Sequence, residues 1–473
     1  MISERVMFKT VRCCLFSTLL FASAYPAIAQ LRISENQRYF LDGEKPVVLF
    51  GSGLWTIIPD TTVDIEDHNS WYAEWGSNAN RVTAFAFCTA VPEGKGLAPW
   101  PRTGPDNAND GYPRFDLSQF NEAYWERFHA YLESAQRHGI YVWLQIFDEP
   151  FIEPGDERWF INPFNAENNI NHIPGMPGGR GSGEEAFYDP DNAALMEIQN
   201  ALVQRILEET AQRYGHIVYE IGNEINADSR TSKALEWQRH WIQFFRNYEQ
   251  EHGVKLILSN NTRRSLAEAD IDGFDVMNHN AFLEIRVRGR DPLTLSQNIT
   301  QQLSDDFELF QMPIVNSRPA SDPDRVNYPD IVSPDEGRCL YWSYFMSGGH
   351  IVGFRTTIES WKGGLAAETI LRNLHRFIEK LSFEHMQPTQ ERVVGDALCL
   401  AQPDVAYALY LPVGGSVHLN LSDGEKALTL HWYNPRTGEW QEPVRTDGIT
   451  QELTLNAPDT QDWAVYIEVS TSS

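Results

Sequence analysis

The segment His216–Asn226, HIVYEIGNEIN, sets Asn223 and Glu224 at the end of an apolar run. Ile217, Val218, Tyr219 and Ile221 suit a strand covered on both faces; an asparagine and a glutamate do not. A carboxylate there needs a partner or a task, because an unpaired buried charge is expensive. The task open to it is proton transfer in concert with a second carboxylate. One acid protonates a leaving oxygen while the other carboxylate attacks carbon or activates water, which is the chemistry of glycosidic bond cleavage. Asp148 and Glu149, which end the run IYVWLQIF, are the first candidates for the second group.

These residues need elements to hold them. From residue 47 short apolar runs alternate with amphipathic helices. The runs are VVLFGSG (47–53), ANRVTAFAF (79–87), IYVWLQIF (140–147), IVYEIGNE (217–224), KLILSN (255–260), DVMNHN (275–280), MPIVNS (312–317) and HIVGFR (350–355). Between them, Phe120, Tyr124, Phe128, Tyr131, Leu132 and Ala135 form a stripe at helical spacing that stops at Gly139. Leu195, Ile198, Leu202 and Ile206 before Gly215, and Trp237, Trp241, Phe244, Phe245 and Tyr248 before Gly253, repeat the design. Eight near-continuous apolar strands separated by helices predict an α/β fold, a (β/α)8 TIM barrel. The barrel is expected over residues 30–387, led by an N-terminal β-hairpin. From 388 to 473 the texture changes to short alternating strands with turn residues, which predicts a small C-terminal antiparallel β-sandwich. Two loops, 89–114 and 148–190, are long and carry Trp100, Trp159, Phe160, Phe164 and His172. They read as cleft walls whose exposed aromatics stack on sugar rings, or else as disordered insertions.

Composition narrows the function classes. Arg5, Lys9 and Arg12 precede the apolar stretch CCLFSTLLFASAYPA, and Ala27–Ala29 is a small-x-small site, so residues 1–29 read as a signal peptide. The expected location is secreted or periplasmic. Of 38 basic and 65 acidic residues, that segment holds three and one, which leaves 35 − 64 = −29. Such a charge argues against nucleic acid and anionic membrane as partners, and its plainer consequence is solubility. Cys88, Cys339 and Cys399 are widely spaced, so no metal-ligand pairs and at most one disulfide are expected. No glycine-rich nucleotide loop occurs, and no cofactor is expected.

In a barrel of this kind the active site lies at the carboxyl ends of the strands. The polar residues expected there are Trp55, Arg81, Asp148, Glu149, Asn223, Glu224, Asn260, His279, Asn280, Arg318 and Arg355. An acidic, amide-rich and aromatic mouth without metal spacing points to a carbohydrate partner. NANRV on the second strand and GNE ending the fourth resemble clan A glycoside hydrolases. YFLDGEKPVVL, PWPRTG, FDLSQFNEAYWERFHAYLESAQRHGIYVWLQIF and YGHIVYEIGNEIN resemble its apiosidase-like branch. The tail, with YLPVGGSVHLNLS, LHWYNPRTGEW and DWAVYIE, is similar to the collagen-binding-like module that branch carries. The resemblance implies Glu224 as general acid, Asn223 as a ligand of a sugar hydroxyl, Arg81 orienting a carboxylate from beneath and His279 lining the floor. The plainer alternatives are a buried Glu224–Arg81 ion pair, His279 as a core histidine and Trp55 as core packing. Glu220 shares the strand parity of Glu224 and reads as half of an internal ion pair.

The clan's nucleophile should be a glutamate ending the seventh strand, in a stretch like PIVNSEP. This chain has PIVNSRPASDPDR, and Arg318 stands in that place. An arginine stays protonated and donates hydrogen bonds; it cannot attack an anomeric carbon. Three readings follow. Another carboxylate has taken over, Asp148 or Glu149 or, downstream, Asp322 or Asp324. Alternatively Arg318 grips a uronate or sulfate on an acidic plant or algal polysaccharide, in hydrolysis or in a lyase reaction. Or the barrel only binds carbohydrate. The sequence favours hydrolysis with Glu224 as proton donor and Asp148 as base. Trp55, Arg81, Glu149, Asn223, His279, Arg318, Asp322 and Trp361 are the expected substrate contacts.

Overall fold

A computed structural model describes residues 30–84, 96–148, 151–152, 157–225, 232–261, 272–279, 291–317, 333–355 and 365–470. The segment read as a signal peptide and Cys88 lie outside them. Strands β1 (Leu31–Ile33), β2 (Phe40–Asp42) and β3 (Lys45–Val47) form an antiparallel sheet, so a third strand joins the expected hairpin. Eight parallel strands follow: β4 (Phe50–Leu54), β5 (Ala79–Thr83), β6 (Tyr141–Asp148), β7 (Ile217–Asn223), β8 (Ile257–Asn261), β9 (Val276–His279), β10 (Ile314–Asn316) and β11 (His350–Arg355). Their spatial order, β4-β11-β10-β9-β8-β7-β6-β5, follows the chain around a TIM barrel. The helices among the described residues are α1 (Ile65–Glu74), α2 (Glu122–Arg137), α3 (Glu157–Ile161), α4 (Glu184–Phe187), α5 (Ala193–Thr210), α6 (Ser232–His252), α7 (Pro292–Phe310), α8 (Pro334–Met346) and α9 (Leu365–Ile378).

The barrel closes between β4 and β5 without a regular ladder. The Asn78 N–H donates to Phe50 O at 3.0 Å and the Thr83 N–H to Trp55 O at 2.9 Å. The two strands approach this closely because β4 carries two glycines. A Cβ on Gly51 would stand 1.9 Å from Ala79 O, and one on Gly53 2.2 Å from Asn80 Oδ1. At the amino end of the barrel, Leu31, Phe40 and Val47 of the small sheet share one core with Ala79, Trp143, Val218, Ile257, Val276, Val315 and Val352. The small sheet plugs that end, leaving the carboxyl ends of the strands as the mouth.

The C-terminal module is a sandwich. One sheet holds β12 (Gln387–Pro388), β14 (Leu398–Gln402), β15 (Ala406–Leu411), β21 (Trp463–Ser470), β17 (Lys426–Asn434), β18 (Glu439–Trp440) and β19 (Val444–Ile449). The other holds β13 (Val393–Val394), β16 (Ser416–Asn420) and β20 (Glu452–Asn456). Alternation along the larger sheet sends Tyr407, Leu409, Leu428, Leu430, Trp432, Val465 and Ile467 toward Val417, Leu419, Leu453 and Leu455 of the smaller one. The opposite face, with Leu400, Ala408, Tyr410, Tyr433 and Ala464, packs on α8 and α9 of the barrel.

At that junction Trp342 stacks on Tyr410 at 5.3 Å, and Phe377 on Trp440 at 5.5 Å. Arg338 of α8 makes a two-pronged contact with buried Asp462, 2.6 Å from Nε and 2.9 Å from Nη2. A bidentate pair of this kind fixes orientation as well as energy. Tyr433 OH donates to Asn373 O at 2.6 Å, and Asn373 Nδ2 donates back to Pro435 O at 3.0 Å. Cys339 and Cys399 are both buried free thiols, and burial pushes them up to about 11 and about 12 respectively. Because the junction shares one core with the barrel helices, Trp342→Ala should remove about 3–5 kcal/mol. Barrel and sandwich should lose it together, in a single shifted transition on urea unfolding followed by tryptophan fluorescence and circular dichroism. Two separated transitions in the wild type would contradict this.

Candidate active site

The floor of the mouth is an ion pair. Arg81 (2% exposed) points inward from β5 and meets Glu220 (0%) on β7. Arg81 Nε lies 3.1 Å from Glu220 Oε2, and Nη2 contacts Oε1. Oε2 also accepts from Trp143 Nε1 and from Asn278 Nδ2, each at 2.7 Å. Four donated hydrogen bonds replace the water this carboxylate gave up, which is the condition for a buried charge to be tolerated. Glu220 is therefore the internal partner that its parity predicts.

Above this pair strict alternation fails, and the failure builds the site. The pairing of β6 with β7 runs from Val142–Ile217 to Gln145–Glu220, skips Ile146 and Ile221, and resumes at Phe147–Gly222 and Asp148–Asn223. The skipped isoleucines pack outward in the main core. Beyond the skip, Asn223 turns to the interior side, where Arg81 Nη2 donates to its Oδ1 at 2.8 Å. Asn261 Nδ2, at the end of β8, donates to the same oxygen at 2.8 Å. Asn223 Nδ2 then donates to Asp148 Oδ1 at 2.6 Å. The next residue, Glu224, is half-buried and holds φ at 53°, a left-handed conformation rare for a glutamate. Departures of this type cost about 1–3 kcal/mol and persist where the surroundings over-determine them. Here the Ile225 N–H is tied to Asn261 O at 3.2 Å.

Asp148 is 8% exposed, and its carboxyl is pushed up to about 7. Burial is the main cause. The Asn223 hydrogen bond opposes it, the charge of Glu224 adds to it, and Arg81 and Arg158 oppose it more weakly. The structure thus brings together Arg81, Asp148, Asn223 and Glu224 from the expected set. Trp55 is half-buried just past β4, with its ring 5.9 Å from that of Phe151. His279 ends β9. Glu149, Arg318, Asp322 and Trp361 lie outside the described residues, as do Asn280 and Asp324. Glu220, Trp143, Asn261 and Asn278 complete the cluster. Of these, Trp143 and Asn278 stand in strands legible in the sequence, where only the register shows that they reach the site, and Asn261 lies one residue beyond the expected run 255–260. Among the described residues no group of three or more His, Cys, Asp or Glu could hold a metal ion.

The loop aromatics are not the stacking platforms expected from composition. Trp100 (1% exposed), Trp159 (0%) and Phe164 (0%) are core residues, with Phe164 edge-on to both Trp100 and Phe187 at 5.3 and 5.1 Å. They nail the loops down. Phe160 is half-buried beneath the Arg180 guanidinium at 4.3 Å, while His172 is exposed. Asparagines do the rest. Asn168, fully buried, accepts the Asn109 N–H at 2.8 Å and donates to Phe160 O and Asn162 O, both at 2.8 Å. Asn171 accepts the Leu117 N–H at 2.7 Å, and Asn169 donates to Pro163 O at 2.8 Å. Short amide side chains stand in for absent backbone partners, so these walls are fixed.

Comparison with known proteins adds the fold's relatives. Residues 96–286 match the family model of a domain of unknown function, and residues 389–468 the one described as a putative collagen-binding domain of a collagenase. No curated protein matches the sequence. Among solved structures, a glycoside hydrolase superposes with a TM-score of 0.63 at 13% identity, over 94% of this chain and 98% of its own. A family 5 glycoside hydrolase of Bacteroides vulgatus ATCC 8482 does so with a TM-score of 0.64 at 13% identity, over 93% of each chain. The likeness is one of fold: a barrel with a β-rich partner module.

Two outcomes follow from the site. Asp148 takes up a proton more readily folded than unfolded, so its ionisation drains stability as pH rises from about 4 to about 7. Asp148→Asn should therefore be more stable than the wild type by about 2–4 kcal/mol at pH 8 and indistinguishable at pH 3.5, read from urea unfolding. Asn168→Ala removes three hydrogen bonds and leaves the Asn109 N–H without its acceptor, while Phe160 O keeps Asn109 Nδ2 and Asn162 O keeps the Asn165 N–H. It should open the 101–114 and 159–179 loops to limited proteolysis at least tenfold faster while leaving the barrel's circular dichroism intact.

Proposed function

We propose that this chain is a glycoside hydrolase whose reacting carboxylates are Asp148 and Glu224. The observation that carries the reading is the Asp148–Asn223 pairing, which places Asp148 beside Glu224 at the mouth. The sequence gives the proton to Glu224; the surroundings of Asp148 argue for the opposite division. A carboxyl held near 7 keeps its proton into the neutral range and is suited to protonate a leaving oxygen. Glu224 is then the carboxylate that attacks the anomeric carbon or takes a proton from water. In either course the glycosidic C–O bond breaks, the Asp148 proton goes to the departing oxygen, and water supplies the new hydroxyl. The Arg81–Glu220 pair beneath supplies orientation and adds no net charge.

The fold neighbours support the reaction class, and the replacement of the clan nucleophile by Arg318 supports a pair located elsewhere in the mouth. Arg318 also favours a plant or algal polysaccharide or oligosaccharide bearing uronate or sulfate. The basic and apolar N-terminal segment favours action outside the cytoplasm, secreted or periplasmic.

The test is sugar release by wild type, Glu224→Gln and Asp148→Asn on neutral, uronate and sulfated polysaccharides, with ultraviolet absorbance on the same samples. Both variants should lose at least 10²–10³-fold in turnover. Wild-type kcat/KM should fall as pH rises through about 7, where Asp148 ionises. Full activity in Asp148→Asn removes it from the reacting pair, and absorbance rising with the reducing ends means elimination in place of hydrolysis.

A further inference from the structure

The amide of Asn223 has its orientation dictated. Arginine has no acceptor, so the atom facing Arg81 Nη2 at 2.8 Å is the amide oxygen. That oxygen also takes the Asn261 Nδ2 donor at 2.8 Å, which fills both its lone pairs. The amide nitrogen is thereby turned onto Asp148 Oδ1, 2.6 Å away. Nitrogen in an amide only donates, so Oδ1 faces a hydrogen and accepts. The acid hydrogen of Asp148 is left on Oδ2. The ring of constraints runs back to Glu220, which accepts from Trp143 and Asn278 and in turn holds Arg81 in place.

We propose that Asn223 is a positioning residue for Asp148: its N–H fixes Oδ1 as acceptor and reserves Oδ2 for the transferable proton. This rests on the reading of Asp148 as half of the reacting pair. It differs from the role the family resemblance implies, in which the asparagine touches a sugar hydroxyl. The groups acting on Asp148 from the surrounding elements are Asn223 and Glu224 at the end of β7, Arg81 on β5 and Arg158 on α3. Burial and Glu224 favour the neutral acid, whereas Asn223 and the two arginines favour the anion. Arg81 is itself neutralised by Glu220, so the Asn223 hydrogen bond is the strongest counterweight to burial.

The experiment reads the carboxyl directly and needs no substrate. Protein labelled with carbon-13 at the aspartate carboxyl is titrated by NMR, and the Asp148 resonance is identified by its loss in Asp148→Asn. In the wild type its midpoint should fall near 7. In Asn223→Ala, checked for folding by circular dichroism, the midpoint should rise by about one pH unit, the size of one lost hydrogen bond to a carboxylate. Asn261→Ala removes one of the two donors that orient the amide and leaves the Arg81 contact intact, so it should give a smaller rise in the same direction. An unchanged midpoint in both folded variants overturns the proposal. Where a substrate is turned over, the alkaline limb of kcat/KM should move with the NMR midpoint. A raised KM with the limb unmoved also overturns it, in favour of a sugar contact. Absence of turnover would sink the hydrolase reading alone, because the titration still decides the role of Asn223.

Discussion

Everything at the mouth of this barrel stands on one buried ion pair. Two opposite charges in the low-dielectric interior are a poor bargain unless every remaining hydrogen-bonding site is filled. Glu220 meets that condition with Arg81, Trp143 and Asn278, drawn from three other strands. The pair therefore does more than join β5 to β7. It clamps a guanidinium whose Nη2 also reaches Asn223, and through Asn223 the clamp reaches Asp148. Because the pair is neutral as a unit, it transmits geometry upward without imposing a strong field. An uncompensated arginine at this depth would favour the Asp148 anion more strongly. The compensated one leaves burial in charge, which is why a carboxyl near 7 sits within reach of a cation.

The skip at Ile146 and Ile221 is the second dependence. In an unbroken strand, side chains alternate, and Asn223 would face the helices. The interruption leaves both isoleucines in the outer core and swings Asp148 and Asn223 inward together. The left-handed turn at Glu224 comes directly after it. Irregularities of strand pairing beside active sites re-aim side chains in this manner.

How much of this the sequence discloses follows the same line. The eight barrel strands and the long helices could be read because each has a hydrophobic period of its own, and Glu220 could be paired because it lies below the skip, where parity holds. Asp148 could be named as a candidate but not placed, since its direction depends on a register that no single strand encodes. The loops show the limit from the other side. Trp100, Trp159 and Phe164 in Gly-, Pro- and Asn-rich stretches look like exposed platforms, because composition does not say which side of a loop is covered. The asparagines that hold those loops were equally silent: Asn168 has three partners, none closer than six residues in sequence. A hydrogen bond between distant backbone and a short side chain leaves no periodic trace.

The larger sheet of the C-terminal sandwich has barrel helices against one face and the smaller sheet against the other. It is an internal wall. A module that recognises a fibre or a glycan by laying a sheet flat on it needs that surface bare, and this one has none to offer along its central strands. What remains is the outer side of β16 and β20, where Ser416, His418, Asn420, Glu452, Thr454 and Asn456 present short polar groups, together with the strand edges. Anything held there would face away from the junction at which Arg338 and Trp342 tie the sandwich to the barrel.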